Sequence, residues 1–365
     1  VTTVVFETAS LASAFAKAAS VAPTTGMAFD KAAGIVLEIL PAEGIVRVKS
    51  TNLDIFYAEW IKPLEMEGDE TTWRIPSKVF ASVISTLPIG PNKTVKMYDK
   101  DSTVHLESGR MKLNRQLILG DDYPEWSAYD PSSLAQILDF GGKYERVMWA
   151  ASKDNLPPMT GAYLGNGILA CTNRFRICMV PMETPFDEPV VFQGVQLGPL
   201  VKPGITVGLG RTDTQLLLSP DPSTQLRIGL LGDKFPPVTK FPEIKYPQEV
   251  AAGREDLVAM LTRTKHVVGS ARDLYCTMYV GREEVAFSVK SGHDGLFGDV
   301  VDVPGAATHA RVHIKFNQND LANALSSAPG EMVTLAYNPE NMMLPMRISS
   351  GDYQAWVSPI KNEES

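Results

Sequence analysis

The 365-residue chain has no uninterrupted apolar run of the ~18 residues that a membrane-spanning helix needs, so a membrane protein is not expected. It has only three cysteines, Cys171, Cys178 and Cys276. A small, odd number excludes a disulfide framework and favours a reducing compartment. The opening VTTVVFETAS lacks a basic stretch followed by an apolar one, so no secretion signal is expected and a cytoplasmic location is. Without such a signal, the acceptor-like Asn92-Lys93-Thr94 reads as a chance match.

The chemistry of an active site is also missing. The five histidines are scattered. His309 and His313 stand four apart on an extended stretch, which separates them by roughly 13 Å and excludes a shared metal. Cys171 and Cys178 flank a hairpin with neither a histidine nor a third cysteine beside them, and read as buried packing residues. GLGRTD (208–213) lacks the third glycine and the following helix of a dinucleotide loop, and there is no phosphate-binding Gly-Lys-Ser/Thr loop. The carboxylates form no spaced cluster suited to metal binding or acid–base work. No catalytic residue, metal site or cofactor is expected, and the chain reads as a binding or scaffold protein rather than an enzyme.

What is present is a repeat. LGDDYPEW (119–126) and LGDKFPPV (231–238) share Leu-Gly-Asp, one variable position, an aromatic and Pro. Each follows the same order of patterns: helix, strands, strand, helix, strands. In the first pass, 10–22 places Leu11, Phe15, Ala18 and Ala22 on one helical face. TTWRI then leads into a helix at 75–88 that starts at Pro76 and buries Val79, Val83 and Leu87. In the second, 143–154 is a helix with Tyr144, Val147, Met148 and Ala151 inward. GILACTN and RFRICMVP form a hairpin, and 189–203 takes the second-helix slot, interrupted by Gly198-Pro199. In the third, 254–268 is a helix with Leu257, Leu261 and Val268 inward, and 309–327 is a strand followed by a helix. Three units of roughly 120 residues are each large enough to be a domain, with boundaries at 1–130, 131–247 and 248–365.

The net charge is −8, which argues against a surface that grips nucleic acid everywhere but leaves room for cations concentrated on one face. Lys17 and Arg263 lie six residues beyond the apolar anchors Leu11 and Leu257, about 240° around a helix and away from its core side. Arg146 and Lys153 point away from Tyr144, Met148 and Ala151. Lys78 lies opposite the apolar face of its helix, and Lys202 ends the corresponding segment of the second repeat. Small residues such as Ser13, Ser82 and Ala150 stand beside these cations. Singly each is an ordinary solvated charge; six in equivalent places on an acidic protein form a candidate polyanion-facing surface.

With these motifs in place, the chain resembles the bacterial sliding clamp, the β subunit of DNA polymerase III. STNLDIFYAEW (50–60) and TWRIPSKVFASVISTLP are similar to its first-domain strands and helix. TNRFRI (172–177) resembles its Thr-Asp-Gly-His-Arg-Leu hairpin, and LLGDKFPP its Leu-Asp-Gly-x-Phe-Pro turn. VHIKFNQNDLANAL and WVSPIK resemble its third-domain strand and helix and its carboxy-terminal Val-Val-Met-Pro-Met-Arg. The resemblance spans essentially the whole chain.

It implies an α+β fold of three tandem clamp domains, each with two helices packed on antiparallel sheets. Two subunits would join head to tail into a ring around non-sequence-specifically held duplex DNA. Twelve helices, each about 10 Å wide, would enclose a hole of roughly 25–30 Å. Lys17, Lys78, Arg146, Lys153, Lys202 and Arg263 would line that hole. The implied partners are DNA polymerase, a clamp loader and other clamp-binding replication and repair proteins, in the cytoplasm at the nucleoid. A peptide cleft implied by matching positions would use Thr172, Arg176, Ile177, Pro236, Lys240, Phe241, Trp356, Pro359 and Ile360. The chain departs from the family at Arg174-Phe175, where Gly-His is usual, and at Trp356, Ser358 and PTTG (23–26). The competing reading is a multi-domain interaction scaffold that does not encircle DNA.

Overall fold

The 3.6-residue periodicity of the first helical stretch does what it predicts: Leu11, Phe15, Ala18 and Ala22 are all buried. The computed structural model describes residues 1–23, 31–120, 122–154, 157–194, 197–268, 275–281, 283–291, 295–303 and 312–360. The elements begin with β1 (Thr3–Glu7), α1 (Thr8–Val21), β2 (Ile35–Leu40), β3 (Ile45–Thr51), β4 (Ile55–Ile61), β5 (Glu65–Glu67) and β6 (Thr71–Ile75). Next come α2 (Ser77–Ile84), β7 (Thr94–Lys100), β8 (Thr103–Ser108) and β9 (Met111–Gln116). The middle of the chain contributes β10 (Ala135–Leu138), α3 (Phe140–Met148), β11 (Ala162–Gly165), β12 (Ile168–Thr172), β13 (Arg176–Pro181) and β14 (Val190–Phe192). It continues with β15 (Thr206–Arg211), β16 (Gln215–Asp221) and β17 (Thr224–Gly229). The last part holds β18 (Gln248–Gly253), α4 (Arg254–Val268), β19 (Tyr275–Val280), β20 (Glu284–Ser291), β21 (Gly295–Asp302) and β22 (Val312–Asn317). It ends with α5 (Gln318–Ser326), β23 (Met332–Tyr337), β24 (Met346–Ser350) and β25 (Tyr353–Val357).

The strands form four antiparallel sheets, and their order repeats. One type of half-sheet runs 6-2-3-4, 14-11-12-13 and 22-19-20-21 by strand number; the other runs 1-7-8-9, 10-15-16-17 and 18-23-24-25. In two sheets the halves are fused. β17 pairs with β4, with Arg227 opposite Phe56, and β13 pairs with β25, with Ile177 opposite Trp356. Two halves are left open. The sheet β5-β1-β7-β8-β9 ends at β9, and the sheet β21-β20-β19-β22 ends at β21.

Contacts group the chain into two units, residues 1–141 with 195–230, and 142–194 with 231–365. Both draw on the middle stretch because each fused sheet hydrogen-bonds part of it to a different neighbour. In the first unit α1 packs on α2 and on β3 and β4; in the second α4 packs on α5 and on β20 and β21.

Three helices differ from expectation. In α2 the buried residues are Ser77, Phe80 and Ile84, continued by Leu87, while Val79 and Val83 are only half-buried. Phe80, Ile84 and Leu87 make an i, i+4, i+7 stripe that puts the largest apolar side chain inward. α3 starts at Phe140 rather than 143 and ends at Met148. The glycine in its first turn is required because a Cβ on Gly141 would lie 2.6 Å from the Val201 carbonyl oxygen. Its end is set by turns at Ala150 and Ala151 and by a bond from Ser152 N–H to Met159 O at 2.8 Å. Met148, read as inward, is half-buried; Tyr144, Val147 and Ala151 are buried. The 189–203 slot is no α-helix among its described residues. β14 is followed by a turn in which Val201 N–H bonds Leu197 O at 2.7 Å, as Gly198-Pro199 dictates. In α4, Leu257 and Leu261 are buried; the side chain of Val268, residues 24–26 of PTTG, and His309 lie outside the described residues.

The GLGRTD stretch is strand β15 and its turn. Its glycines make room for Leu134: a Cβ on Gly210 would stand 2.5 Å from Leu134 Cδ2.

Candidate functional site

The hairpin between β12 and β13 is built by short polar side chains that bond their own backbone. Thr172 Oγ1 donates to Arg176 O at 2.8 Å and accepts from Arg174 N–H at 3.2 Å. Asn173 Oδ1 accepts from the N–H groups of Phe175 and Arg176, each at 3.0 Å. These bonds hold Arg174 at φ 80° and lift Phe175 to the tip, 67% exposed. Ser358 N–H bonds Phe175 O at 2.8 Å, and Ile360 N–H bonds Lys315 O at 2.8 Å, which fixes the last described segment beside the hairpin.

One face of the β13–β25 sheet carries an apolar cluster of Tyr163, Ala170, Ile177, Met179, Val238 and Trp356, with Phe235, Phe241 and Tyr246 packed on it. The last four non-strand members come from the linker 231–247, whose 3-10 turn spans Val238–Glu243. Phe235 stacks on Tyr163 with centroids 5.4 Å apart, and Phe241 meets Trp356 edge-on at 5.9 Å. Tyr246 donates its hydroxyl to Pro345 O at 2.6 Å, under Arg347. Burial pushes the Tyr246 phenol up to about 12, so it stays a neutral donor. The result is an aromatic and aliphatic floor whose members Phe235, Phe241 and Tyr246 remain partly open to solvent.

Of the nine cleft positions expected from the sequence, Ile177, Phe241 and Trp356 meet in this cluster. Pro236 and Lys240 sit on the linker, half-buried and exposed; Pro359 and Ile360 are half-buried. Thr172 is buried and serves the hairpin turn. Arg176 is not in the cluster. Strand alternation turns it to the opposite face from Ile177, where it pairs with Asp320 and donates to the carbonyls of Ala150 at 3.3 Å and Ala151 at 3.0 Å. Sequence reasoning missed Tyr163, Phe235, Val238 and Tyr246. Phe235 had a signal, since it is the aromatic of the repeated LGD motif.

The six cations divide in two. Lys78, Lys153 and Lys202 are exposed. Arg263 is 54% exposed but pairs with Asp299 at 2.5 Å. Lys17 is drawn inward: its ammonium lies 3.0 Å from Glu59 on β4, which also accepts from Tyr57. Arg146 is half-buried. Among the described residues no three of His, Cys, Asp and Glu group as metal ligands.

No protein-family profile and no curated protein sequence matches the chain. Solved structures do. The β subunit of DNA polymerase III from Thermotoga maritima superposes with a TM-score of 0.84 at 17% identity, covering 99% of this chain and 100% of that one. The polymerase sliding clamp from Bacillus subtilis gives 0.81 at 17% identity, with 99% of each chain covered. The clamp from Pseudomonas aeruginosa bound to griselimycin gives 0.82 at 13%, covering 99% and 100%. At these identities it is the architecture that is shared: this chain has the fold of the DNA polymerase III β subunit, the bacterial sliding clamp.

Proposed function

We propose that the protein is a DNA sliding clamp: a head-to-tail homodimer of three-domain subunits (1–130, 131–247, 248–365) that encircles duplex DNA and tethers a polymerase. The observation that carries this is the unfinished sheet pattern. Two pairs of half-sheets are fused within the chain, through β17–β4 and β25–β13; the third pair is left as two open edges, β9 and β21. A second copy completes it, β9 of one subunit meeting β21 of the other, twice by two-fold symmetry. The edges are complementary. β9 (MKLNRQ) carries no acid, with Arg115 exposed and Lys112 also reaching Glu107 on β8 at 3.0 Å; β21 (GLFGDVVD) carries no base, with Asp302 beside Asp299, which Arg263 on α4 already holds. Val300 on β21 is 54% exposed.

DNA contact would rest on the exposed Lys78, Lys153 and Lys202, with Arg263, Arg146 and Lys17 weaker because each is paired or partly buried. Few cations suit sliding, since every phosphate contact adds both affinity and friction. The Ile177–Phe241–Trp356 floor would take the apolar anchors of a partner peptide from a polymerase, a clamp loader or repair proteins. No helix among the described residues is long and apolar enough to cross a membrane, in keeping with a cytoplasmic, nucleoid-associated protein. The clamp's role is to hold, and no reaction step is assigned to it.

The test is topological. The protein is loaded on nicked circular DNA with a matching clamp loader, and the DNA is then linearised. Retention on circles with loss from free ends is expected. Equal retention on both would mean surface binding and sink the ring. A monomeric mass with no DNA association would point to an open scaffold. If griselimycin, which the Pseudomonas aeruginosa clamp holds, takes the Ile177–Phe241–Trp356 floor here, Phe241→Ala should weaken its binding at least tenfold without changing the dimer.

A further inference from the structure

The linker 117–134 lies on the β17–β4 sheet as the linker 231–247 lies on the β25–β13 sheet, and the two match position by position. Tyr123-Pro124 corresponds to Phe235-Pro236, Trp126 to Val238, and Tyr129 to Phe241. The strands beneath correspond too. Gln225 and Arg227 on β17 face Ala58 and Phe56 of β4, as Gln354 and Trp356 on β25 face Met179 and Ile177 of β13. Tyr129 stands 5.4 Å over the Arg227 guanidinium where Phe241 stands 5.9 Å from Trp356.

The first groove is full. Trp126, where the second linker has only Val238, lies 5.7 Å from Trp60 and 5.9 Å from Arg227, and Arg47 caps Trp60 at 5.4 Å. The Trp126 indole N–H is buried without a hydrogen-bond partner, so shape and ring contacts hold it. The main chain is clamped as well. Tyr129 N–H donates to Gln225 Oε1 at 3.1 Å, Gln225 Nε2 donates to Tyr129 O at 2.7 Å, and the Tyr129 hydroxyl donates to Leu218 O at 2.5 Å. At the second groove the counterpart Gln354 leaves its buried Oε1 without a partner. One glutamine has its acceptor filled by the chain itself; the other does not.

We infer that the groove over the β17–β4 sheet is a second copy of the peptide cleft, permanently occupied by the chain's own Trp126 over Arg227. The first groove therefore adds no docking site to the one at the Phe241–Trp356 floor. This rests on the reading of the Phe241–Trp356 floor as the cleft.

Amide hydrogen exchange of the wild-type protein with saturating griselimycin tests it, together with calorimetric stoichiometry. The expected result is protection of 231–247, none of 117–134, and one ligand per subunit. Protection of both linkers, or two ligands per subunit, overturns the inference while keeping the cleft. Protection of neither linker overturns the cleft reading and this inference with it. The variant Trp126→Val/Arg227→Trp copies the second groove's residues into the first and should raise the stoichiometry to two. Its retained protection at 231–247 shows that it is folded, and a folded variant that still binds one overturns the inference.

Discussion

Arg176 shows how much a single side chain can carry. It joins Asp320 at the start of α5 to the carbonyls that follow α3 and lies under Trp149, and the Arg176 and Asp320 side chains are only 11% and 12% exposed. Asn317 caps α5 by accepting from the N–H groups of Asn319 and Asp320, which fixes the acid in place. Removing one partner of a largely buried pair leaves an uncompensated charge. Arg176→Ala should therefore lower stability by about 3–5 kcal/mol in urea denaturation; a loss below about 1 kcal/mol would mean that the pair is solvated and unimportant. The thiols make a second residue-level case. Cys171, Cys178 and Cys276 are buried; burial drives the first well above the ordinary thiol range, and the other two up to about 12. At pH 8 none should react with a disulfide reagent until denaturant is added. Because the folded state favours the neutral thiol, stability should be constant below the unfolded thiol range and fall as the pH climbs from about 8.5 toward 12. Rapid native labelling of any thiol would contradict this.

Elements are placed here by contacts that their own sequences only partly announce. The repeated LGD motif delivers an aromatic onto the following sheet in both linkers: Tyr123 beneath Arg74 at 5.2 Å, and Phe235 against Tyr163. Yet the two glycines of the motif do different jobs. Gly120 has φ +134°, with a Cβ position 3.1 Å from Asp122 Oδ1, whereas a Cβ on Gly232 would meet nothing within 4 Å. Gly120→Ala should cost about 1 kcal/mol or more, and Gly232→Ala should be neutral or slightly stabilising. Thermal melts of the two variants check this, and equal effects would show that the motif is a single turn type. The apolar stripe of α1 was legible because helical periodicity is a local property. The phase of α2 was not, since Phe80 and Val79 are both apolar and only the packed interior chooses between them.

At the scale of the molecule the open edges decide the outcome. If β9 and β21 pair between subunits, Lys112→Glu/Arg115→Glu should weaken the dimer at least tenfold in sedimentation velocity. Combining it with Asp302→Lys in the same chain should restore part of the dimer, because the edge again joins opposite charges while Asp299 stays with Arg263. The effect should shrink as salt is raised, since exposed pairs are screened within ~10 Å at 0.1 M. A dimer indifferent to both sets of changes would place the interface elsewhere.

By itself the sequence determined the threefold order of strands with a leading helix in each pass, the apolar stripe of α1, the inward Leu257 and Leu261 of α4, and the hairpin at 172–177. These follow from periodicity, turn chemistry and composition, which act over a few residues. Only the tertiary structure decided which polar side chains are free to act. Lys17 reads as solvent-facing, and the fold brings Glu59, 42 residues away, to its ammonium; Arg176 is expected at the cleft, and the fold pairs it with Asp320, 144 residues away. It also decided that Tyr163, Val238 and Tyr246 join Ile177, Phe241 and Trp356 in one floor, because a linker and two strands distant in sequence share one face of a sheet. Charge partners and cluster membership depend on distances through space, and a sequence specifies those only by folding.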